Sequence, residues 1–379
     1  MKENPKPKLL VIAAHPGIGN AHIEKYLPAL EGFGFDIHFS GWDRKSIFPK
    51  KRQKNGTFYQ MIFRGGGGFS SRSLFYMMPI FMIRVFFHTM FSSQKQIFAI
   101  DFDTALPVAL ASIFRPKKLI VYGIRDNYAW RPWVPTFFRP VIQSVDRWTM
   151  KRFDRIIVPD ETRILKNIPL SLKEKFEVVY NCAEDQIEMV SEAERERSGK
   201  PFTIYASGYL RKVRGIELLL EVANRIEDLQ LIFAGDMPEE DIRIKMKALG
   251  HRADFRGSLT LEESWRLNFS ADAVFAFYDP SFEINRRAAS NKWSDAMMAG
   301  RPCLSNNELI KSEWIKTNDI GFTCPYNVDE LEETVRYMMA NREVVVLKGE
   351  NGRQLYEQVY NWRIMKDRLR HIFFASSED

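Results

Sequence analysis

A chain of 379 residues is longer than one hydrophobic core usually serves, so two domains with a cleft between them are expected. An apolar content of 45% and a charged content of 27% exclude collagen, coiled coil and wholesale disorder. The net charge is a moderate +7, and the three cysteines, Cys182, Cys303 and Cys324, have neither C-x-x-C spacing nor paired histidines nearby, so neither a disulfide framework nor a zinc site is indicated.

Polar residues from Met1 to Lys8 lead straight into the apolar run Leu9 to Ala14. That run is too short for a signal h-region and reads as a first buried strand, so a cytoplasmic protein is expected. His15-Pro16-Gly17-Ile18-Gly19-Asn20 follows it, and a lone pair of glycines is a weak sign of a phosphate loop. Basic residues cluster at Lys50, Lys51, Arg52 and Lys54, and again at Arg115, Lys117 and Lys118. Gly65 to Gly68 reads as a mobile loop. Leu74 to Phe91 is dense in Phe, Met, Ile and Leu, but Pro79, Arg84 and His88 argue against a membrane-spanning helix. Two readings stay open for it. It is a packed core helix, or an interfacial one pressing aromatics into lipid headgroups beside Arg72. In the second reading Lys50, Lys51, Arg52, Phe81, Arg84 and His88 form the acceptor or membrane face, and the protein sits peripherally on the membrane.

Strand-like runs then alternate with helical ones, among them Ile97 to Ile100, Leu119 to Tyr122, Arg155 to Val158, Phe202 to Ala206, Leu229 to Ala234 and Ala273 to Tyr278. This alternation predicts parallel sheets covered by helices. Asp101, Asp103 and Thr104 either line a cleft at their strand's end or cap a helix from Ala105. The Glu- and Arg-rich stretch from Cys182 to Lys200 breaks the rhythm and marks the domain boundary. Beyond it, Ile216, Leu219, Leu220, Ala223 and Ile226 recur at helical spacing behind Gly215, Thr260 and Glu263 form a capping box, and Gly300 ends a helix.

Two segments have the parts that hold a diphosphate, namely small residues at a strand end, cations, and a helix N-terminus whose free amides favour negative charge. The first is Ala206 to Gly215, with Gly208 at its turn and Arg214 as the leading clamp. The second is Ser290 to Pro302, where amides near Asn291 and Lys292 can face a phosphate and Asp295, a turn further in, can accept from a ribose diol. Exposed loop cations and a solvent-facing aspartate are the alternatives.

In order and spacing, Arg214-Gly215, Ala234-Gly235 and the stretch from Asn291 to Pro302 resemble the motifs of the family-4 (group 1) glycosyltransferases, most clearly between about residues 200 and 325. The resemblance implies an α/β chain of the GT-B fold, with two Rossmann-like, doubly wound parallel-sheet domains facing a central cleft and a C-terminal helix crossing back to the first. It places an acceptor-side domain at 1–185, a nucleotide-sugar domain at 200–355 and the returning helix at 356–379, around Tyr360, Trp362 and Met365. It further implies retaining transfer of a hexosyl or N-acetylhexosaminyl group from a nucleotide-diphosphate sugar, a co-substrate rather than a bound cofactor, to a glycan or polyprenyl- or other lipid-linked acceptor in polysaccharide or glycolipid synthesis.

By the same resemblance Asp126 stands beside the reacting sugar, where its structural alternative is an ion pair with Arg125 or Arg131. Gly17 and Gly19 approach the diphosphate, and Gly208, Arg214, Asn291, Lys292 and Asp295 bind the donor, with Asp126, Arg214 and Lys292 as the catalytic set. Asp101-x-Asp103 matches a metal motif only of a different, single-domain transferase fold, so no catalytic metal is expected. The sequence departs from the family at Arg287, where a Glu is usual, and at Tyr209, where an Arg is common. A catalytically impaired relative, a sugar-nucleotide 2-epimerase and a basic polyanion-binding module are the alternative functions. No nucleic-acid recognition motif supports the last.

Overall fold

The computed structural model describes residues 6–17, 21–67, 73–131, 134–164, 168–191, 195 and 197–374. The chain divides into two compact units, Met1–Val179 with Lys366–Asp379, and Tyr180–Met365. The division falls between Val179 and Tyr180, ahead of the Cys182 to Lys200 stretch that its composition marks as a boundary. Those residues belong to the second unit because Ala183 and Val190 pack into its core and the Tyr356 hydroxyl donates to the Ala183 carbonyl (2.9 Å).

In the first unit the elements run β1 (Lys8–Ala13), α1 (Ala21–Gly32), β2 (Asp36–Asp43), β3 (Lys51–Lys54), β4 (Thr57–Arg64), α2 (Ser73–Phe91), β5 (Gln96–Ile100), α3 (Phe102–Phe114), β6 (Leu119–Gly123), α4 (Arg139–Arg152), β7 (Arg155–Val158) and β8 (Phe176–Val178). They build a sheet of order β3-β4-β2-β1-β5-β6-β7-β8, parallel except for the β3–β4 pair at its edge. Central strands such as β1 are apolar and buried on both faces, from Leu9 to Ala13 without alternation, because helices cover both sides of the sheet. Strand order reverses on either side of β1, which opens a crevice at the C-terminal ends of β1 and β5.

The second unit holds β9 (Phe202–Tyr209), α5 (Ile216–Arg225), β10 (Leu229–Asp236), α6 (Glu240–Ala248), β11 (Ala253–Phe255), α7 (Leu261–Ser270), β12 (Ala273–Ala276), α8 (Asn291–Met298), β13 (Cys303–Asn306), β14 (Gly321–Cys324), α9 (Val328–Ala340) and α10 (Arg342–Leu355). Its sheet, β11-β10-β9-β12-β13-β14, is parallel throughout. Ile216, Leu219, Leu220 and Ala223 of α5 are buried on one face, and α7 begins with the Thr260–Glu263 capping box. Here the order reverses between β9 and β12.

The last helix, α11 (Trp362–Phe374), joins the first unit from Lys366 onward, later than 356. The π-helical Tyr356–Tyr360 stays with the second unit, its Tyr360 ring 4.3 Å from that of Tyr180. Phe373 at the helix end meets Phe35 (5.9 Å) and Phe98 (5.7 Å).

Candidate functional site

The β9/β12 reversal gathers the second unit's candidate residues. β9 ends at Tyr209, and Arg211 to Gly215 turn tightly into α5. Gly215 has φ +68°, and a Cβ there would lie 2.6 Å from Cβ of Phe277, so only glycine lets the loop lie against the end of β12. From the other side Tyr326 donates its hydroxyl to the Lys212 carbonyl (3.0 Å), and Phe277 stacks on Phe275 (4.7 Å).

This turn aims Arg214 at Tyr278, the guanidinium lying 4.4 Å from the ring centroid, while Lys292 Nζ stands 5.5 Å from the same centroid. The tyrosine is fixed in place. Asn306, fully buried at the end of β13, accepts from the Tyr278 amide (2.9 Å) and donates to its carbonyl (3.2 Å), and the Tyr278 hydroxyl donates to Ser290 Oγ (2.6 Å). Ser290 in turn caps α8, accepting from the Lys292 amide (3.2 Å).

Among the described residues neither Arg214 nor Lys292 has a carboxylate within ion-pair distance. Nearby cations are differently placed. Lys212 is bound by Asp241 and Glu217, and Arg211 donates to the Tyr209 hydroxyl (2.5 Å). Burial, reinforced by Arg214, lowers the Lys292 pKa. Burial raises that of the Tyr278 phenol, but the charges of Lys292 and Arg214 outweigh it and leave the value lowered. A negative charge placed here would relieve the repulsion between the two cations.

Asp295 is half-buried one turn into α8. The Asn291 side chain accepts a hydrogen bond from Asn181, a partner 110 residues away that spacing alone does not reveal. Gly208 has φ +88° at the open side of β9. Arg287 is held by Glu283 (2.9 Å), so the residue that departs from the family pattern carries its own carboxylate.

In the first unit the crevice beside β1 contains a charge network. Asp101, buried and in the left-handed region (φ +67°), accepts from the Arg125 side chain (Nε 3.0 Å) and amide (3.1 Å) and from Arg131 (3.2 Å). Burial raises its pKa, yet the two guanidiniums and their hydrogen bonds win and hold it at about 2. Helix α3 therefore starts at Phe102 rather than Ala105, and the Asp101 carboxylate makes no capping bond. Asp103 is pushed up to about 6, burial being the main cause.

His15 Nδ1 accepts from the Gly17 amide (3.3 Å), which leaves Nε2 as the donor, and burial with Arg125 and Arg44 lowers its pKa to about 4. It is neutral at ordinary pH. Gly17 has φ +81° and sits against Phe39. A cavity of about 250 Å³ beside it is lined by His15, Trp42, Arg44 and Phe48. Asp126 pairs with buried Arg163 (2.9 Å), not with Arg125 or Arg131, and stays substantially exposed. Gly19 and Arg72 lie outside the described residues, as does Gly68 at the end of the glycine run.

Two residues of the acceptor or membrane face read from the sequence point inward. Phe81 is fully buried, 5.0 Å from Trp42, and His88 is bonded to Ser40 (2.8 Å), so both face the core. Arg52 of the edge strand β3 lies over Tyr59 (4.4 Å), Lys50 and Lys51 are exposed beside it, and Arg84 donates to the Ile62 carbonyl (3.0 Å).

A further cavity, about 870 Å³, lies at the opposite, N-terminal ends of the second sheet's strands, where Arg197, Arg301 and Arg342 surround the start of β12. Arg197 is bound to Asp272 and Arg301 to the Phe269 and Arg195 carbonyls, so this pocket is remote from the Arg214 site.

Residues 201–341, which contain the whole Tyr278 cluster except Asn181, match the family model of the group 1 glycosyl transferases. In solved structures the whole chain is similar to sucrose-phosphate synthase from Thermosynechococcus elongatus, at 14% identity and TM-score 0.75 over 98% of this chain and 100% of that one. It is similar also to Anabaena Alr3699/HepE in complex with UDP (14%, TM-score 0.68, 98% and 100%) and to WaaG, a glycosyltransferase involved in lipopolysaccharide biosynthesis (12%, TM-score 0.66, 96% and 99%). The fold is GT-B. No curated protein sequence matches the chain.

Proposed function

We propose that the protein is a retaining glycosyltransferase that moves a hexosyl or N-acetylhexosaminyl group from a nucleotide-diphosphate sugar to a glycan or lipid-linked acceptor. The observation that carries this reading is the pair Arg214 and Lys292, two cations without carboxylate partners among the described residues, sharing the ring of Tyr278 at a sheet reversal. The match of residues 201–341 to the group 1 glycosyl transferases, and the UDP bound in a structure of the same fold, support it.

In the reaction the bond from the anomeric carbon to the diphosphate oxygen breaks, the acceptor oxygen bonds to that carbon on the face the diphosphate leaves, and the acceptor proton passes to the leaving group. Negative charge builds on the diphosphate, and Arg214, Lys292 and the amides at the start of α8 offset it. Asp295 holds the ribose. On the first unit Asp126, paired with Arg163, is the carboxylate we assign to offsetting the positive charge that develops at the sugar, and neutral His15 carries a hydrogen-bond donor at Nε2.

Slow transfer to water provides the test. Incubation with UDP-, GDP- and ADP-sugars, followed by proton NMR, should show one donor releasing its diphosphate and a sugar whose first anomer keeps the donor's configuration, with roughly tenfold loss or more in Arg214→Ala. Release of the inverted anomer would overturn retention. An intact donor that exchanges hydrogen at C2 would point instead to the 2-epimerase reading.

A further inference from the structure

Helix α2 buries Phe81, Val85 and Thr89, a stripe with a four-residue repeat that packs on the first unit's sheet. Its opposite face is also apolar. Tyr76 (72% exposed), Ile80 (45%), Ile83, Phe87 and Phe91 (78%) follow one another at helical spacing and are exposed to solvent. This stripe covers about 22 Å of helix at 1.5 Å per residue. Helix α3 extends it sideways: Phe86 meets Phe114 edge-on at 6.2 Å, and Leu110, Ile113 and Phe114 (70%) are exposed in turn. A contiguous apolar surface of this kind is rare on a monomeric protein that has nothing to dock.

Charge around the patch selects what covers it. From Ser73 to Lys118 the acidic residues are Asp101 and Asp103, and both are buried. At the C-terminal ends of the two helices four cations gather. Arg115 donates to the Met90 carbonyl (2.5 Å), Lys117 to the Ser92 and Gln94 carbonyls (3.2 Å each), and Lys95 and Lys118, both exposed, are joined through their backbones (2.8 Å). Among the described residues no helix is long and apolar enough to cross a membrane. An exposed row of aromatic and branched side chains ending in a purely basic cluster has the build of a surface that lies on anionic lipid, with rings in the headgroup layer and ammonium groups on phosphates.

We propose that the outer face of α2 and α3 docks the protein on an anionic lipid bilayer, with Ile83, Phe87, Phe91 and Phe114 inserted and Lys95, Arg115 and Lys118 on the headgroups. This face differs from the Lys50 to Arg52 and Phe81 surface read from the sequence, and it stands independently of the proposed transferase activity because docking needs no nucleotide.

Flotation of the full chain with vesicles tests it. Vesicles of phosphatidylcholine with 30% phosphatidylglycerol, about that mixture, should carry the protein upward, whereas pure phosphatidylcholine should carry roughly a tenth as much or less. Phe87→Glu with Phe91→Glu, substitutions at solvent-exposed positions whose effect on folding is checked by thermal melting, should abolish flotation. Lys95→Glu with Lys118→Glu should remove the preference for anionic lipid, since each basic residue at such a surface is worth about fivefold in binding. The proposal is overturned if the wild type fails to float with either vesicle, or if the double Phe variant floats as well as the wild type. It is equally overturned if the wild type is a dimer that ignores vesicles and the Phe variant a monomer, which would assign the face to a second copy.

Discussion

Arg214 and Lys292 stand over one ring, that of Tyr278, at 4.4 and 5.5 Å, although they lie 78 positions apart in the chain. A π face partly stabilises two like charges gathered at one place. Arg214→Ala or Lys292→Met should therefore each weaken nucleoside diphosphate binding by about 1.5–3 kcal/mol, the worth of a hydrogen bond to a charged group. The double variant should lose less than the sum, because the two cations share one ligand and one ring. Isothermal titration of the three variants measures the coupling, and strict additivity would separate the two residues into independent sites.

Because burial lowers the Lys292 pKa, its ammonium loses its proton at a pH below the ordinary lysine range. Only the charged form attracts a diphosphate, so affinity should fall as pH rises through that lowered value. The bound anion favours the charged form and shifts the fall to higher pH. Titrations between about pH 7 and 10 should show the decline in the wild type, and Lys292→Met should show a flat profile over the same range.

Much of this arrangement was legible in the sequence. The strand runs, the Arg214-Gly215 turn and the Ser290 to Pro302 segment were visible because small residues and cations recur at strand ends with fixed spacing. Tyr278 was visible only as a strand terminus. Its part as the platform depends on Asn306 and Ser290, which the parallel pairing of β12 with β13 and the cap of α8 bring to it. The Asp101–Arg125 pair was hidden for a similar reason: the residues lie 24 apart and meet because Ile100 and Gly123 are in register on adjacent strands. Helix α2 misled the sequence reading more directly. With both faces apolar it has no polar side to mark solvent, so periodicity could not tell inward Phe81 from outward Phe87.

Gly215 supplies a further prediction. Gly215→Ala faces both a left-handed backbone and a contact of 2.6 Å with Phe277, whereas Gly250→Ala has a similar φ of +59° and open space around it. The second should cost about 1–2 kcal/mol, the backbone penalty alone, and the first about 1–3 kcal/mol more, with loss of diphosphate binding as Arg214 is displaced. Urea unfolding of both variants checks this, and equal destabilisation would show that the Phe277 contact relaxes without cost.

Stability should also depend on pH in a defined direction. Burial raises Asp103 to about 6 and Asp146 to about 7, from 3.8 in both cases, so between about pH 4 and 7 the folded chain keeps protons that the unfolded chain has lost. Each of these two carboxyls makes stability fall as pH rises through that window, while His15, held at about 4 against an ordinary 6.5, and His88, also lowered by burial, work against them below about pH 6.5 and leave the Asp146 decline exposed only above it. Asp101 acts oppositely: held at about 2, it contributes stability above 3.8 that is lost as pH falls through about 2. Calorimetry should find that the first unit's melting temperature declines from about pH 6 toward neutral and slightly alkaline pH, and that Asp146→Asn, which can still accept from the Tyr122 hydroxyl, flattens this decline. A decline above about pH 6 that Asp146→Asn leaves unchanged would contradict the assignment.

The most direct test of the central claim is a thermal-shift screen of the purified chain against UDP, GDP, ADP, CMP and TDP. A ligand that binds only the folded state stabilises it by about 2.7 kcal/mol at a hundred times its Kd. One nucleoside diphosphate should raise the melting temperature selectively, and Arg214→Ala should cut that rise by about half or more. No shift with any of the five, or a shift that Arg214→Ala leaves unchanged, would contradict the claim.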